Sequence, residues 1–190
     1  MKPIVFLLEE PSAREMLQGL LPRILSEEYM VQVKYIVFQG KQDLEKNIAR
    51  KLKHWNEPMP YFIILRDQDS GNCVYIKQAL LEKCIGKSEV LVRIACRELE
   101  SWYLGDLSAV EKGLQISGIA QQQQNKKYRS PDKLVNAAEE LEKLTKKSYQ
   151  KVAGSREIGK YLSLQSETNY SHSFKVFLSG LRKFLQLNQE

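Results

Sequence analysis

The chain has 190 residues, 43% of them hydrophobic and 27% charged, with a formal net charge of +6. That length fits one domain with a core of ordinary size and leaves no room for a second full one. No run approaches the ~20 consecutive apolar residues of a membrane span, and the short run after Met1-Lys2-Pro3 is bounded by acids. Neither a transmembrane segment nor a signal peptide is therefore expected, no membrane partner either, and the expected location is the cytoplasm. Cys73, Cys84 and Cys96 lack the pairing of a disulfide framework and the close spacing of a zinc site, so they read as reduced, mostly core thiols. The positive charge suits a polyanion partner and, equally, a solubilising surface.

In chain order, apolar β-rich runs at 3–8, 31–38, 60–66 and 89–95 read as strands, separated by segments whose apolar residues recur every three or four positions. Pro11-Ser12 opens a helix with Met16, Leu17, Leu20, Leu21 and Ile24 on its apolar face. Gly40 turns the chain after the second strand into a helix over 42–54, with Leu44, Ile48 and Leu52 inward. A further helix is expected over 73–84, with Val74, Ile76, Leu80 and Leu81 inward. Strand and helix alternating in this way imply parallel pairing with helical crossovers. After Glu98 the chain reads as wholly helical. Gln121 to Lys127 reads as an exposed polar loop, Pro131-Asp132 as the start of a helix over 131–147 with Leu134, Val135, Ala138, Leu141 and Leu144 inward, and 171–187 as a last helix with an aromatic core stripe. Gly154-Ser155-Arg156 and Ser171-His172-Ser173 read as capped helix starts. The expected architecture is an α/β core over 1–105, a mostly parallel sheet of about four strands flanked by helices, with a helical region over 106–190 packed on it.

Carboxylates follow the apolar runs. Glu9 and Glu10 end the first strand, Asp67 and Asp69 the third, and Arg97-Glu98-Leu99-Glu100 follows the fourth. Open parallel sheets bind ligands outside the carboxyl ends of their strands, where the strand order reverses. In an extended segment Asp67 and Asp69 point the same way and can share one cation, for which Mg²⁺, with its preference for carboxylate oxygens, water and phosphate, is suited. Helix capping near Cys73 explains the same aspartates, and the helix N-terminus after Pro11 favours a carboxylate at Glu9 or Glu10 without any metal. Likewise Glu98 and Glu100 serve either a second cation or the first turn of a helix into which Trp102 packs. Lys41, Arg93 and Arg97 are candidates for phosphate contact; Arg93, inside an apparent core strand, calls for an acidic partner. No phosphate-binding loop, nucleophile elbow or paired-histidine metal motif is present, so the chain is not expected to hydrolyse ATP itself.

A strand ending in Glu, then Pro-Ser and a helix, then a later strand ending in D-x-D resembles the Toprim fold of topoisomerases, primases and the overcoming-lysogenization-defect type of nuclease. L-x-E-E-P-S at 7–12, L-L-P-R at 20–23, F-Q-G-K-Q-D-L at 38–44, D-Q-D at 67–69 and R-I-A-C-R-E-L-E-S-W-Y-L-G-D at 93–106 resemble a Toprim-like family, domain of unknown function 4276. The resemblance covers nearly the whole chain. It implies Glu9, Asp67 and Asp69 as ligands of Mg²⁺ or Mn²⁺, with Glu10 in place of the usual glycine, and Glu98 or Glu100 beside them in catalysis. It also implies cleavage of phosphodiesters in DNA or RNA, as the effector of a prokaryotic defence system working with a separate AAA or ABC-type ATPase. Arg66 departs from the pattern, since a guanidinium there pairs with a carboxylate and weakens metal affinity. Two alternatives stay open: a catalytically degenerate module that binds nucleic acid or a partner ATPase, and an enzyme of nucleotidyl transfer or nucleotide hydrolysis.

Overall fold

The computed structural model describes residues 2–57, 60–86, 89–165 and 167–187. Chain order runs β1 (Ile4–Leu8), α1 (Pro11–Leu20), α2 (Glu27–Met30), β2 (Val33–Val37), α3 (Lys41–Lys53), β3 (Tyr61–Asp67), α4 (Cys73–Glu82), β4 (Val90–Ala95), α5 (Glu100–Leu104), α6 (Leu107–Gly113), α7 (Ala137–Leu144), α8 (Lys151–Gly159) and α9 (His172–Phe184), with 3₁₀ turns at Leu21–Arg23, Ala120–Gln124 and Pro131–Lys133.

The strands form a parallel sheet in the order β2-β1-β3-β4, with Leu8 beside Leu65 and Asp67 beside Ala95. β1 is buried along its whole length because both faces of the sheet are covered. Val5, Leu7, Phe62, Ile64 and Val92 pack against Leu44, Ile48 and Leu52 of α3 and Leu80 of α4. On the other face, Phe6, Leu8, Ile63 and Leu65 meet α1 and the C-terminal helices, and that cluster runs without a break from Ile4 to Leu185. From β1 the chain moves outward to β2, then crosses back to β3 and on to β4. Strand order therefore reverses between β1 and β3, and the crevice this creates lies above Glu9 and Asp67. Among the described residues no helix is long and apolar enough to cross a membrane.

Several local expectations are corrected. The inner stripe of α4 continues into the following turn, running Cys73, Ile76, Leu80 and Cys84, so Val74 is 66% exposed and Leu81 faces outward. Of the cysteines only Cys84 is buried; Cys73 and Cys96 are half-buried, and all three are free. The segment 131–147 does not form one helix. Leu134 is extended after the Pro131–Lys133 turn, Val135 is 71% exposed, and α7 starts after Asn136, with Ala137 rather than Ala138 in the core. Gly154-Ser155-Arg156 is not a helix start but the interior of α8, where Ser155 is fully buried. Gln123, inside the polar run, acts as a brace: it donates to the carbonyls of Leu104 and Tyr128 and accepts from the Leu107 amide. Ser171 does cap α9, its Oγ accepting from the Phe174 amide at 3.2 Å. Trp102 is fully buried between Phe174 and Phe177, and its Nε1 donates to Ser173 Oγ at 2.9 Å.

Candidate functional site: an acidic crevice at the strand-order reversal

Glu9 follows β1 directly, and its Oε2 accepts from the Asp67 amide at 3.1 Å, linking the two central strands. Arg66, almost wholly buried, places its Nε 3.8 Å from Glu9 and its Nη1 3.1 Å from Glu45. Burial pushes the Glu9 carboxyl above its usual range, the Asp67 amide and Arg66 work against that, and Asp69 and Glu10 add to it. Glu10 occupies the N-cap position of α1 without capping it. Its carboxylate instead accepts from Ser12 Oγ at 2.6 Å and pairs with Lys151 of α8 at 2.7 Å.

Asp67 and Asp69 part company. The strand ends at Asp67, and Asp69 has φ +53°, so the alternation of an extended segment does not carry through. Burial drives the Asp67 carboxyl well above its usual range, reinforced by Glu10, Glu100 and Glu9 and opposed by the Leu99 amide. Asp69 pairs with Lys41 at 2.8 Å, on the side towards α3. Neither aspartate caps α4; Asn72 does, its Oδ1 accepting from the amides of Val74 and Tyr75.

The two glutamates after β4 also separate. Glu98 turns to the start of α7, where its Oε2 accepts from the Ala138 amide at 2.8 Å. Glu100 is 1% exposed; Oε1 accepts from Tyr149 Oη at 2.8 Å, and Oε2 is buried with no hydrogen-bond partner among the described residues. Burial raises its pKa, with Lys151 and Tyr149 opposing and Glu10 adding to the rise. For Lys151, burial alone lowers the pKa; the hydrogen bond to Glu10 and the charges of Glu100, Glu10 and Asp67 outweigh it and hold the ammonium above the usual lysine range. Glu10, Asp67, Glu100 and Lys151 thus feel one another's charge, as Glu9 and Asp67 do, while Asp69 pairs outward with Lys41.

Lys151 and Tyr149 carry no strand-end signal in the sequence. They reach the pocket because α8 lies across α1: a Cβ on Gly19 would stand 2.4 Å from the Arg156 carbonyl oxygen, and one on Gly159 2.4 Å from that of Met16. Only paired glycines allow this approach of backbone to backbone.

The basic candidates divide in the same way. Lys41 lies at the rim on Asp69. Arg97 has φ +62°; its amide donates to Gln68 Oε1 at 3.1 Å and its Nη1 to the Asp69 carbonyl at 3.3 Å. Arg93 has carbonyl oxygens where an acidic partner is expected: Nε donates to Val176 and Nη1 to Val92, and burial lowers its pKa. Its guanidinium occupies the space that the missing side chain of Gly180 leaves.

The donors of this crevice are carboxylate oxygens, the kind Mg²⁺ and Mn²⁺ prefer, and the unpartnered Glu100 Oε2 is a buried acceptor that such an ion would satisfy. Among the described residues no three carboxylate, histidine or cysteine groups stand ready as a ligand set. Chemically the residues fit a hard divalent cation; their side chains must converge to hold one.

Fold and site define a parallel α/β domain with an acidic crevice at the strand-order reversal. The chain belongs to the family described as Domain of unknown function (DUF4276), whose model matches residues 8–182, from the last residue of β1 into α9. Among solved structures it is similar to the C-terminal region of the Xanthomonas campestris pv. campestris OLD protein, with 14% identity, a TM-score of 0.51, and coverage of 98% of this chain and 95% of that one. At that identity the likeness shows the fold. No curated protein matches the chain.

Proposed function

We propose that this protein is a Toprim-like, divalent-metal-dependent nuclease that cleaves phosphodiester bonds of DNA or RNA. The observation that carries the reading is the buried Glu100 Oε2, unpartnered among the described residues, whose charge acts on Asp67 together with those of Glu10 and Glu9. Burial and neighbouring negative charge raise the pKa values of Glu9, Asp67 and Glu100 at the expense of stability, a cost that a cation would offset. Glu9, Glu10, Asp67 and Glu100 would hold Mg²⁺ or Mn²⁺ in this reading, with Asp69 joining once released from Lys41. Such a metal, when bound, would supply an activated water and neutralise charge on the leaving oxygen. Lys41 and Arg97, on the rim, contact the phosphate backbone, and Glu98 supports the crevice from behind by anchoring α7. The likeness to the OLD protein region supports the fold this reading needs, and the Toprim pattern of the sequence supports the chemistry. From that pattern also comes the proposal that the protein is the effector of a prokaryotic defence system acting with a separate AAA or ABC-type ATPase.

A second reading, a module that binds nucleic acid or such an ATPase without catalysis, draws on the ion pairs Lys151–Glu10 and Lys41–Asp69, which neutralise part of the cluster without metal. Plasmid, single-stranded DNA, RNA and free nucleotides are incubated with Mg²⁺ or Mn²⁺, alone and with an added ATPase, using the wild type, Asp67→Asn and Glu100→Gln. Metal-dependent cleavage of nucleic acid, lost in both variants, is expected. Absence of cleavage in every combination defeats the nuclease reading, and turnover of nucleotides alone points to nucleotide chemistry instead.

A further inference from the structure

Gln68, between the two aspartates, touches neither carboxylate, yet it joins the loops that leave β3 and β4. Its amide N–H donates to the Ala95 carbonyl at 2.9 Å, and its own carbonyl accepts from the Gly71 amide at 3.1 Å. The side chain reaches both loops: Oε1 accepts from the Arg97 amide at 3.1 Å and Nε2 donates to the Gly71 carbonyl at 2.8 Å. Beside it the Asp69 amide donates to the Arg97 carbonyl at 2.8 Å. The two residues closed together in this way, Asp69 and Arg97, are both non-glycine residues in the left-handed region, at φ +53° and +62°. Such conformations persist only where surrounding bonds hold them.

We propose that Gln68 is a positioning residue for the metal site: its carboxamide clamps the β3 and β4 exit loops and so sets where Asp67 and Asp69 present their carboxylates. The inference rests on the metal-dependent reading above. Side chains that bond a metal ligand change metal affinity by about 10–100-fold when lost; Gln68 acts on the loop backbone instead, so the low end of that range, about tenfold, is expected. Because Gln68 is only half-buried and its loss removes two side-chain hydrogen bonds of about 1 kcal/mol each, its replacement should lower the melting temperature by no more than about 8 °C and leave the fold intact. Q68M keeps the length and removes both side-chain bonds, whereas Q68E keeps the acceptor for the Arg97 amide.

The test pairs Mn²⁺ titration with amide hydrogen exchange at Asp69 and Arg97, on the wild type, Q68M, Q68E and D67N. In Q68M, exchange at Arg97 and Asp69 should rise about tenfold, the equivalent of one hydrogen bond, and Mn²⁺ affinity should fall about tenfold. Q68E should restore protection of the Arg97 amide. Unchanged exchange in Q68M overturns the clamp; raised exchange with undiminished Mn²⁺ affinity overturns the positioning role. Should the wild type itself bind no Mn²⁺, the metal reading fails and the positioning role with it, while the exchange data still decide whether the clamp exists.

Discussion

The contact between α1 and α8 makes the sign of a stability change diagnostic. Gly19 lies inside a helix, where alanine is normally better by about 1 kcal/mol. Here the added Cβ would meet three backbone atoms of α8: the Arg156 oxygen at 2.4 Å, the Lys160 nitrogen at 2.8 Å and the Gly159 carbonyl carbon at 3.0 Å. Backbone cannot rotate aside as a side chain does, so α8 must retreat by about 1 Å to restore ordinary contact distances. Overpacking of this kind costs about 3 kcal/mol at the upper end of its usual range. Set against the propensity gain, Gly19→Ala should lose about 2 kcal/mol, a fall of about 4–8 °C in melting temperature for a chain of this size. Gly159→Ala should act in the same direction, and the double variant should lose less than the sum because the retreat of α8 forced by one Cβ also makes room for the other. Thermal and urea unfolding read the effect. A melting temperature at or above that of the wild type for Gly19→Ala would mean that propensity acts unopposed, and would refute the close approach that delivers Lys151 to the crevice.

In the absence of divalent metal, Asp67→Asn should raise the melting temperature at pH 7. The raised pKa of Asp67 means that the folded state holds this proton more tightly than the unfolded chain, so its contribution is favourable at low pH and is lost as pH rises above the ordinary value of 3.8. A drop on substitution would show that the crowding is not felt. Glu111 has the opposite sign: the amides of Ala120 and Ile119 hold its carboxyl below 4.5, so the stability gap between the wild type and Glu111→Gln should be full above that value and close as pH falls below it. A gap independent of pH between 3 and 7, in a titration monitored by circular dichroism, would contradict the assignment of those bonds. Ser173→Ala should cost about 2 kcal/mol in urea unfolding, because it strands two donors, Trp102 Nε1 and the Cys96 amide; a neutral result would show that another acceptor takes them.

The sequence by itself determined the parallel sheet and the place of the acids. Short apolar runs rich in β-branched residues, separated by helical periods, read as buried strands, and Glu9 and Asp67 end two such runs. Strand-end placement is a local property, so it survives translation from sequence to structure. Which carboxylates meet is not local. Asp69 turns to Lys41 because the chain takes a left-handed step after β3, and Glu98 turns away to α7 while Glu100 turns in. Arg66, the odd residue before the first aspartate, lies against Glu9 and Glu45, a pairing foreseeable in kind but not in partner. Lys151 and Tyr149, more than eighty residues beyond Asp67, join the crevice only because glycines in α1 and α8 let two backbones touch. Close packing between distant segments has no period and no spacing rule, and so the tertiary structure alone decided which charges share the pocket.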